Sequence, residues 1–232
     1  MILEVIATCA DDVETAVACG ADRIELVTGI AEGGLTPSLA LIEAAVILAG
    51  EVPVQVMIRP HSKSFCYNEN DIAVMLRDID LVKQAGAKGI VIGALTAGGT
   101  IDLRAVERLL QAAERLDITF HRAFDKLEDQ NAAYKQLGRY PQISRILTSG
   151  GGAHAAENVS RIRSLNAYKT GPAIMAGYGL TPDNLSYVLR ETAVREVHFG
   201  SGVRLNRSYI EGIDSQAMAE LRKIIQRHSD LL

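Results

Sequence analysis

The sequence predicts a closed (β/α)8 barrel, a TIM-type α/β fold forming a single domain over residues 1–232. Three observations lead there. Strand-length apolar runs alternate with helix-period segments from end to end, and no hairpin pattern interrupts them. The length of 232 residues also suits a barrel of roughly 250 residues. A doubly wound open sheet is the alternative, but its glycine fingerprint after the first strand is replaced by Thr8-Cys9-Ala10-Asp11.

The predicted strands, in order, are Ile2–Ile6, Arg23–Val27, Pro53–Ile58, Gly89–Ile92, Asp117–His121, Ser144–Thr148, Pro172–Ala176 and Arg195–Phe199. Between the third and fourth, Ile72, Met75, Leu76, Ile79 and Val82 recur with helical spacing. Leu103, Val106, Leu109, Leu110 and Ala113 do so in the next segment. Thr36-Pro37 and Thr181-Pro182 each read as an N-cap followed by a proline at the first helical position. Gly20 and Gly86 stand where left-handed C-caps are expected. With 5% aromatic residues and no tryptophan, the core must rest on Ile, Val, Leu and Ala.

Composition narrows the function classes. A net charge of −4 without a basic run argues against nucleic acid as a partner. The opening MILEVIATCADD lacks a basic segment and a long apolar run, and no apolar stretch approaches the roughly 20 residues needed to span a bilayer. Three cysteines, an odd number without a CxxC pair, fit reduced thiols in the cytoplasm.

Strand alternation separates two faces. Leu3, Val5, Ile24, Leu26, Val54, Val56, Ile118, Phe120 and Val197 fall on the face expected beneath the helices. The opposite parity holds Glu4, Glu25, Gln55, Arg59, Thr119, His121 and His198, although barrel interiors are usually filled by branched apolar side chains. Isolated buried carboxylates are costly. Glu4 and Glu25 therefore require partners, for which Arg59, His121, Arg122 and His198 are the expected source. Glu4 lies deeper and is compatible with a purely architectural pair. Arg59, His121 and His198 end their strands, where barrel active sites lie.

Glycine loops follow the last three strands: Thr148-Ser149-Gly150-Gly151-Gly152, then Gly177-Tyr178-Gly179-Leu180-Thr181-Pro182, then Gly200-Ser201-Gly202. Exposed backbone N–H groups in such loops make an anion site, with Ser149, Gly150, Gly177, Gly179, Gly200, Ser201 and Gly202 as its expected donors. Cys9 and Cys66 both fall on the mouth side, as a soft pair suited to copper(I). His121 and His198 with Glu25 could instead hold a divalent metal. No zinc-type spacing occurs, and His61, His154 and His228 receive no role.

Several segments together resemble the CutC copper-homeostasis family. They are Glu32-Gly33-Gly34-Leu35-Thr36-Pro37-Ser38, Ile58-Arg59-Pro60, Phe65-Cys66-Tyr67 and Thr119-Phe120-His121-Arg122-Ala123-Phe124-Asp125, followed by Leu147-Thr148-Ser149-Gly150, Met175-Ala176-Gly177 and Glu196-Val197-His198. The resemblance implies a cytoplasmic barrel linked to copper homeostasis, with copper(I) as a ligand. Ile6 and Val27 stand where resembling sequences often carry cysteine, and only Cys66 matches directly. Two functions therefore compete. One is copper binding or handling through Cys66 and Cys9. The other is an isomerase, aldolase or lyase acting on a small anionic, perhaps phosphorylated, metabolite. In that enzyme, Glu25 or His121 would be the base or acid, Arg59 and Arg122 would stabilise negative charge, and His198 would complete the site. A silent scaffold is the third reading, and the sequence leaves the oligomeric state open, with a homodimer as one option.

Overall fold

In the computed structural model, which describes residues 1–168 and 170–230, eight parallel strands close in chain order. They are β1 (Ile2–Ala7), β2 (Arg23–Leu26), β3 (Val54–Met57), β4 (Gly89–Ile92), β5 (Asp117–Phe120), β6 (Ile143–Thr148), β7 (Ala173–Gly177) and β8 (Glu196–Phe199). The helices are α1 (Ala10–Ala18), α2 (Leu39–Ala49), α3 (Glu69–Gln84), α4 (Leu103–Ala113), α5 (Gln130–Leu137), α6 (Val159–Asn166), α7 (Pro182–Thr192) and α8 (Ser215–Ser229). β1 pairs with both β2 and β8, so the sheet has no free edge. Among the described residues no helix is long and apolar enough to cross a membrane.

The sequence boundaries hold to within a residue or two, and prolines mark the differences. Pro53 and Pro172 stand just outside β3 and β7, because proline has no N–H for the ladder. Pro53 still accepts at its carbonyl from Ile24. Thr181 caps α7 as expected, with Pro182 in the first turn and Asn184 completing the box. Thr36 does not cap α2. That role belongs to Ser38, whose hydroxyl accepts from Leu41 N–H at 3.3 Å. Thr36 instead ties its loop to the end of β3: it accepts from Arg59 N–H at 2.9 Å and donates to Arg59 O at 3.1 Å.

The predicted outward strand residues form the main core beneath the helices, where Leu3, Val5, Ile24, Leu26, Val56, Ile118, Phe120 and Val197 are fully buried. A separate apolar cluster of Ile6, Val27, Met57 and Val91 lies inside the barrel. Around and below it the interior is ionic. Arg23 binds Glu4 and also donates to Glu196 at 2.5 Å. Arg145 bridges Glu196 at 3.0 Å and Asp117 at 2.6 Å. Gln55 donates to Asp117 at 2.8 Å, and Arg145 donates to Thr119 at 3.0 Å. A tied charge network thus fills the part of the barrel where branched apolar layers are usual.

Candidate active site

A cavity of about 470 Å³ opens at the C-terminal mouth. Its wall includes Glu25, Arg59, His121, Arg122 and His198, so the folded chain brings together residues that span most of the sequence. Apolar side chains from the inner cluster, with Leu147, give these polar groups a partly dry setting.

β1 and β8 are neighbours, with Glu4 in register with His198. Glu4 Oε1 lies 2.7 Å from His198 Nδ1, while its other oxygen accepts from Arg23. Burial opposes ionisation of Glu4, but Arg23 and His198 outweigh it and hold the carboxyl well below its usual range. A carboxylate on Nδ1 fixes the imidazole and turns Nε2 toward Glu25 Oε2, 3.7 Å away. That gap is too long for a hydrogen bond. Glu25 Oε1 is buried without a partner. Burial lifts the Glu25 carboxyl; His198 pulls it back and Glu4 pushes it up, with a net rise to about 7. His198 is also raised, since Glu25 and Glu4 overcome the burial that disfavours its charge. Both shifts belong to one interacting pair.

His121 has the opposite character. Burial and the nearby cations of Arg59 and Arg122 lower it to about 3, so it is neutral. Its Nδ1 accepts from Ala123 N–H at 3.1 Å, which places the ring proton on Nε2. Nε2 is buried and unpartnered. Gly93 makes room for the ring, since a Cβ there would come within 2.5 Å of it. Arg59 is anchored by donating to Glu32 O and Gly34 O, each at 3.0 Å, and its guanidinium lies 4.8 Å from the Phe65 ring centroid. Its Nε remains buried and free.

The predicted anion donors divide. Gly179, Gly200, Ser201 and Gly202 line the cavity. Ser149 and Gly150 are occupied elsewhere: Ser149 donates to Asp125 from both its N–H and its hydroxyl, and Gly150 N–H donates to Thr148. Gly177 is a packing glycine, because a Cβ there would come within 2.6 Å of Leu147. Neither cysteine of the expected pair lines this cavity. Cys9 is exposed at the start of α1, and Cys66 is exposed beside a second, shallow depression whose lining does not include Cys9.

Among the described residues, the one group of three ligand-type side chains is Glu4, Glu25 and His198, each offering an atom within 4.8 Å of the others. It contains no thiolate and does not fit copper(I). Both oxygens of Glu4 are already committed to His198 and Arg23, so the group is a hydrogen-bonded acid–base array rather than a metal cage.

The CutC family model matches residues 1–203. A CutC protein from Pasteurella multocida (strain Pm70) is 43% identical over 206 residues, covering 87% of this chain and 84% of its own length. This chain belongs to the CutC family. A second CutC protein, from Salmonella schwarzengrund (strain CVM19633), is 39% identical and aligns with 98% of each chain. Among solved structures, a candidate copper homeostasis protein CutC from Streptococcus agalactiae superposes with a TM-score of 0.81 at 33% identity, covering 86% of this chain and 98% of its own. A phosphoribosyl anthranilate isomerase from Thermococcus kodakaraensis has a TM-score of 0.63 at 18% identity, which shows a shared fold alone.

Sequence reasoning missed parts of this CutC site. Arg23 shares strand parity with Glu25 and could have been read as its inward neighbour. Asp125 has no such periodic signal. Its carboxylate joins the loop after β5 to Thr148 and Ser149 at the end of β6, a contact only the closed barrel creates. Tyr209 also faces the cavity, from the long connection after β8, with burial and then Glu25 raising its hydroxyl to about 12.

Proposed function

We propose that this CutC-family protein is an enzyme of the isomerase, aldolase or lyase type that moves a proton at a carbon beside a carbonyl in a small anionic metabolite. The carrying observation is the unpartnered Glu25 Oε1, on a buried carboxyl lifted to about 7, in the same cavity as the unpartnered Nε2–H of neutral His121. A base is most effective near its working pH. A neutral imidazole can donate to an oxygen as negative charge develops there. Glu25 takes the proton from carbon, and the released electron pair moves onto the carbonyl oxygen. His121 stabilises that oxygen, with the Arg59 cation nearby. Glu4 is the positioning residue that holds His198, whose Nε2 exchanges a proton with Glu25 through a bound hydroxyl or water.

The test is hydrogen–deuterium exchange at carbon, followed by NMR in heavy water across small keto acids and phosphorylated or carboxylated sugars. One or more should exchange, and Glu25→Gln should slow that exchange by about 10²–10⁴-fold. Undiminished exchange in Glu25→Gln would remove the proposed base.

Copper handling is the second reading, favoured by the description of the Streptococcus agalactiae relative. It would work at the surface through exposed Cys66, since the cavity offers carboxylate and imidazole. Copper(I) competition against a calibrated chelator, with Cys66→Ser alongside, separates the two. Tight one-to-one binding lost in the variant supports direct handling; affinity that is weak or indifferent to Cys66 rejects it.

A further inference from the structure

Arg122, Lys126 and Tyr178 line one wall of the cavity, apart from the Glu4–Glu25–His198 array. Arg122 Nε donates to Asp125 at 2.8 Å, and its guanidinium lies 3.8 Å from the Tyr178 ring centroid. Its two terminal nitrogens carry no protein partner among the described residues. Asp125, whose side chain is only 3% exposed, also accepts from Thr148 and Ser149, so its charge is spent on fixing the arginine and the loop. This is a preorganised fork with its free end presented to the cavity.

Tyr178 supplies an independent observation. It has φ of +77°, a left-handed conformation that is an outlier for a bulky side chain. Burial in the core does not account for it, since the residue is 43% exposed. The strained backbone is held by Ala155 N–H donating to Tyr178 O at 3.0 Å, with His154 edge-on to the ring. It places the aromatic face beneath Arg122. Strain of this kind collects at ligand clamps.

We propose that Arg122 and Lys126, set against Tyr178, clamp a phosphate monoester, and that the metabolite in this cavity is phosphorylated. Lys126 is exposed and has no ion-pair partner among the described residues. Two cations match a phosphate dianion, whereas a carboxylate needs one. Gly151 and Gly152 sit on the same wall, and among the described residues their N–H groups have no backbone acceptor. They can serve the remaining oxygens. The clamp therefore lies on the loops after β5 and β6, with Tyr178 from the loop after β7, instead of on Ser149 and Gly150.

This inference rests on reading the cavity as a metabolite site, but not on the proton-transfer step. Calorimetric titration with inorganic phosphate at pH 8, where the dianion dominates, tests it. Arg122→Gln should weaken phosphate binding at least tenfold, and Lys126→Gln, an exposed change that leaves the core intact, about threefold. Arg190→Gln should have no effect, because Arg190 lies near the Tyr187 ring on α7 outside the cavity. Acetate should bind at least tenfold more weakly than phosphate. Equal phosphate affinity in wild type and Arg122→Gln, acetate matching phosphate, or no phosphate binding by the wild type would each overturn the clamp. If phosphate binds as described but no metabolite exchanges deuterium, the clamp stands and the proton-transfer reading falls. Exchange without Arg122-dependent phosphate binding separates them the other way.

Discussion

Two buried ionic regions occupy this barrel, and they differ in what is left over. In the lower interior, Arg23 and Arg145 serve Glu4, Glu196 and Asp117, and each of these groups has a close partner. At the mouth, Glu25 Oε1, His121 Nε2 and Arg59 Nε are just as buried and have none. Leaving a buried polar group unsatisfied costs about 1–3 kcal/mol. The charged groups of the lower network are all paired, and Gln55 Oε1 is the polar atom left over there, whereas at the mouth the open atoms belong to a carboxyl, an imidazole and a guanidinium that line one cavity and can receive what arrives. Pairing of the charged and titratable groups, more than their burial, separates architecture from site here.

The largest expected effect falls on chemistry at the mouth. Glu25→Gln keeps the shape of the side chain and removes its titrating proton, so deuterium exchange should fall by the two to four orders of magnitude that general-base catalysis supplies. Its stability at neutral pH should match or exceed that of wild type, because the variant no longer buries a carboxyl that begins to ionise there. A large loss of both stability and exchange would place Glu25 in the architectural network and erase the contrast.

The lower region should respond in the opposite way. Arg145→Met strips half-buried Asp117 of its cation and leaves Glu196 with Arg23 alone, and leaving such groups under-partnered costs about 1–3 kcal/mol. Denaturant unfolding should show that loss directly. A variant as stable as wild type would mean the network contributes little and that full pairing is no marker of structural function.

The pH dependence sharpens the comparison. Glu25 is raised from 4.5 to about 7 in the folded protein, so its protonated form is favoured by folding. The stabilisation is complete below pH 4.5 and is lost as pH rises toward 7. Glu4 runs the other way. Its folded pKa is depressed by Arg23 and His198 against burial, so its contribution is present above 4.5 and disappears in acid. The difference in stability between wild type and Glu25→Gln should therefore move against wild type as pH rises from 4.5 to 7. A flat difference would mean that Glu25 ionises normally.

Much of this was legible in the sequence because it depends on period. Alternation by two places Glu4, Glu25, Gln55, Thr119 and His198 inside, and strand ends place Arg59 and His121 at the mouth. What period cannot supply is the partner across the barrel. Glu4 and Glu25 are expected to lean on mouth residues; His198 does meet Glu4, but the arginine that completes the pairing of Glu4 is Arg23, one strand away. Loop donors were equally hidden. Ser149 reads as an anion donor until Asp125, 24 residues earlier, is found on its N–H and hydroxyl. Thr36-Pro37 has the letters of a helix start, but the cap is set two residues later because Thr36 is held by the backbone of Arg59.

The smallest expected effect concerns the cysteines. Cys66 is exposed, hydrogen bonds in its segment run through Ser64 and its own backbone, and it lies outside the cavity lining. Cys66→Ser should leave unfolding stability within about 0.5 kcal/mol of wild type and deuterium exchange unchanged. This substitution separates the two readings of the protein most cheaply. Copper handling at the surface predicts that metal affinity collapses while exchange at carbon is untouched. A mouth-centred site that recruits the thiol predicts that exchange falls with it. A tenfold loss of exchange in Cys66→Ser would extend the open, unpaired region beyond the cavity wall, and the division between its two buried networks would no longer define the site.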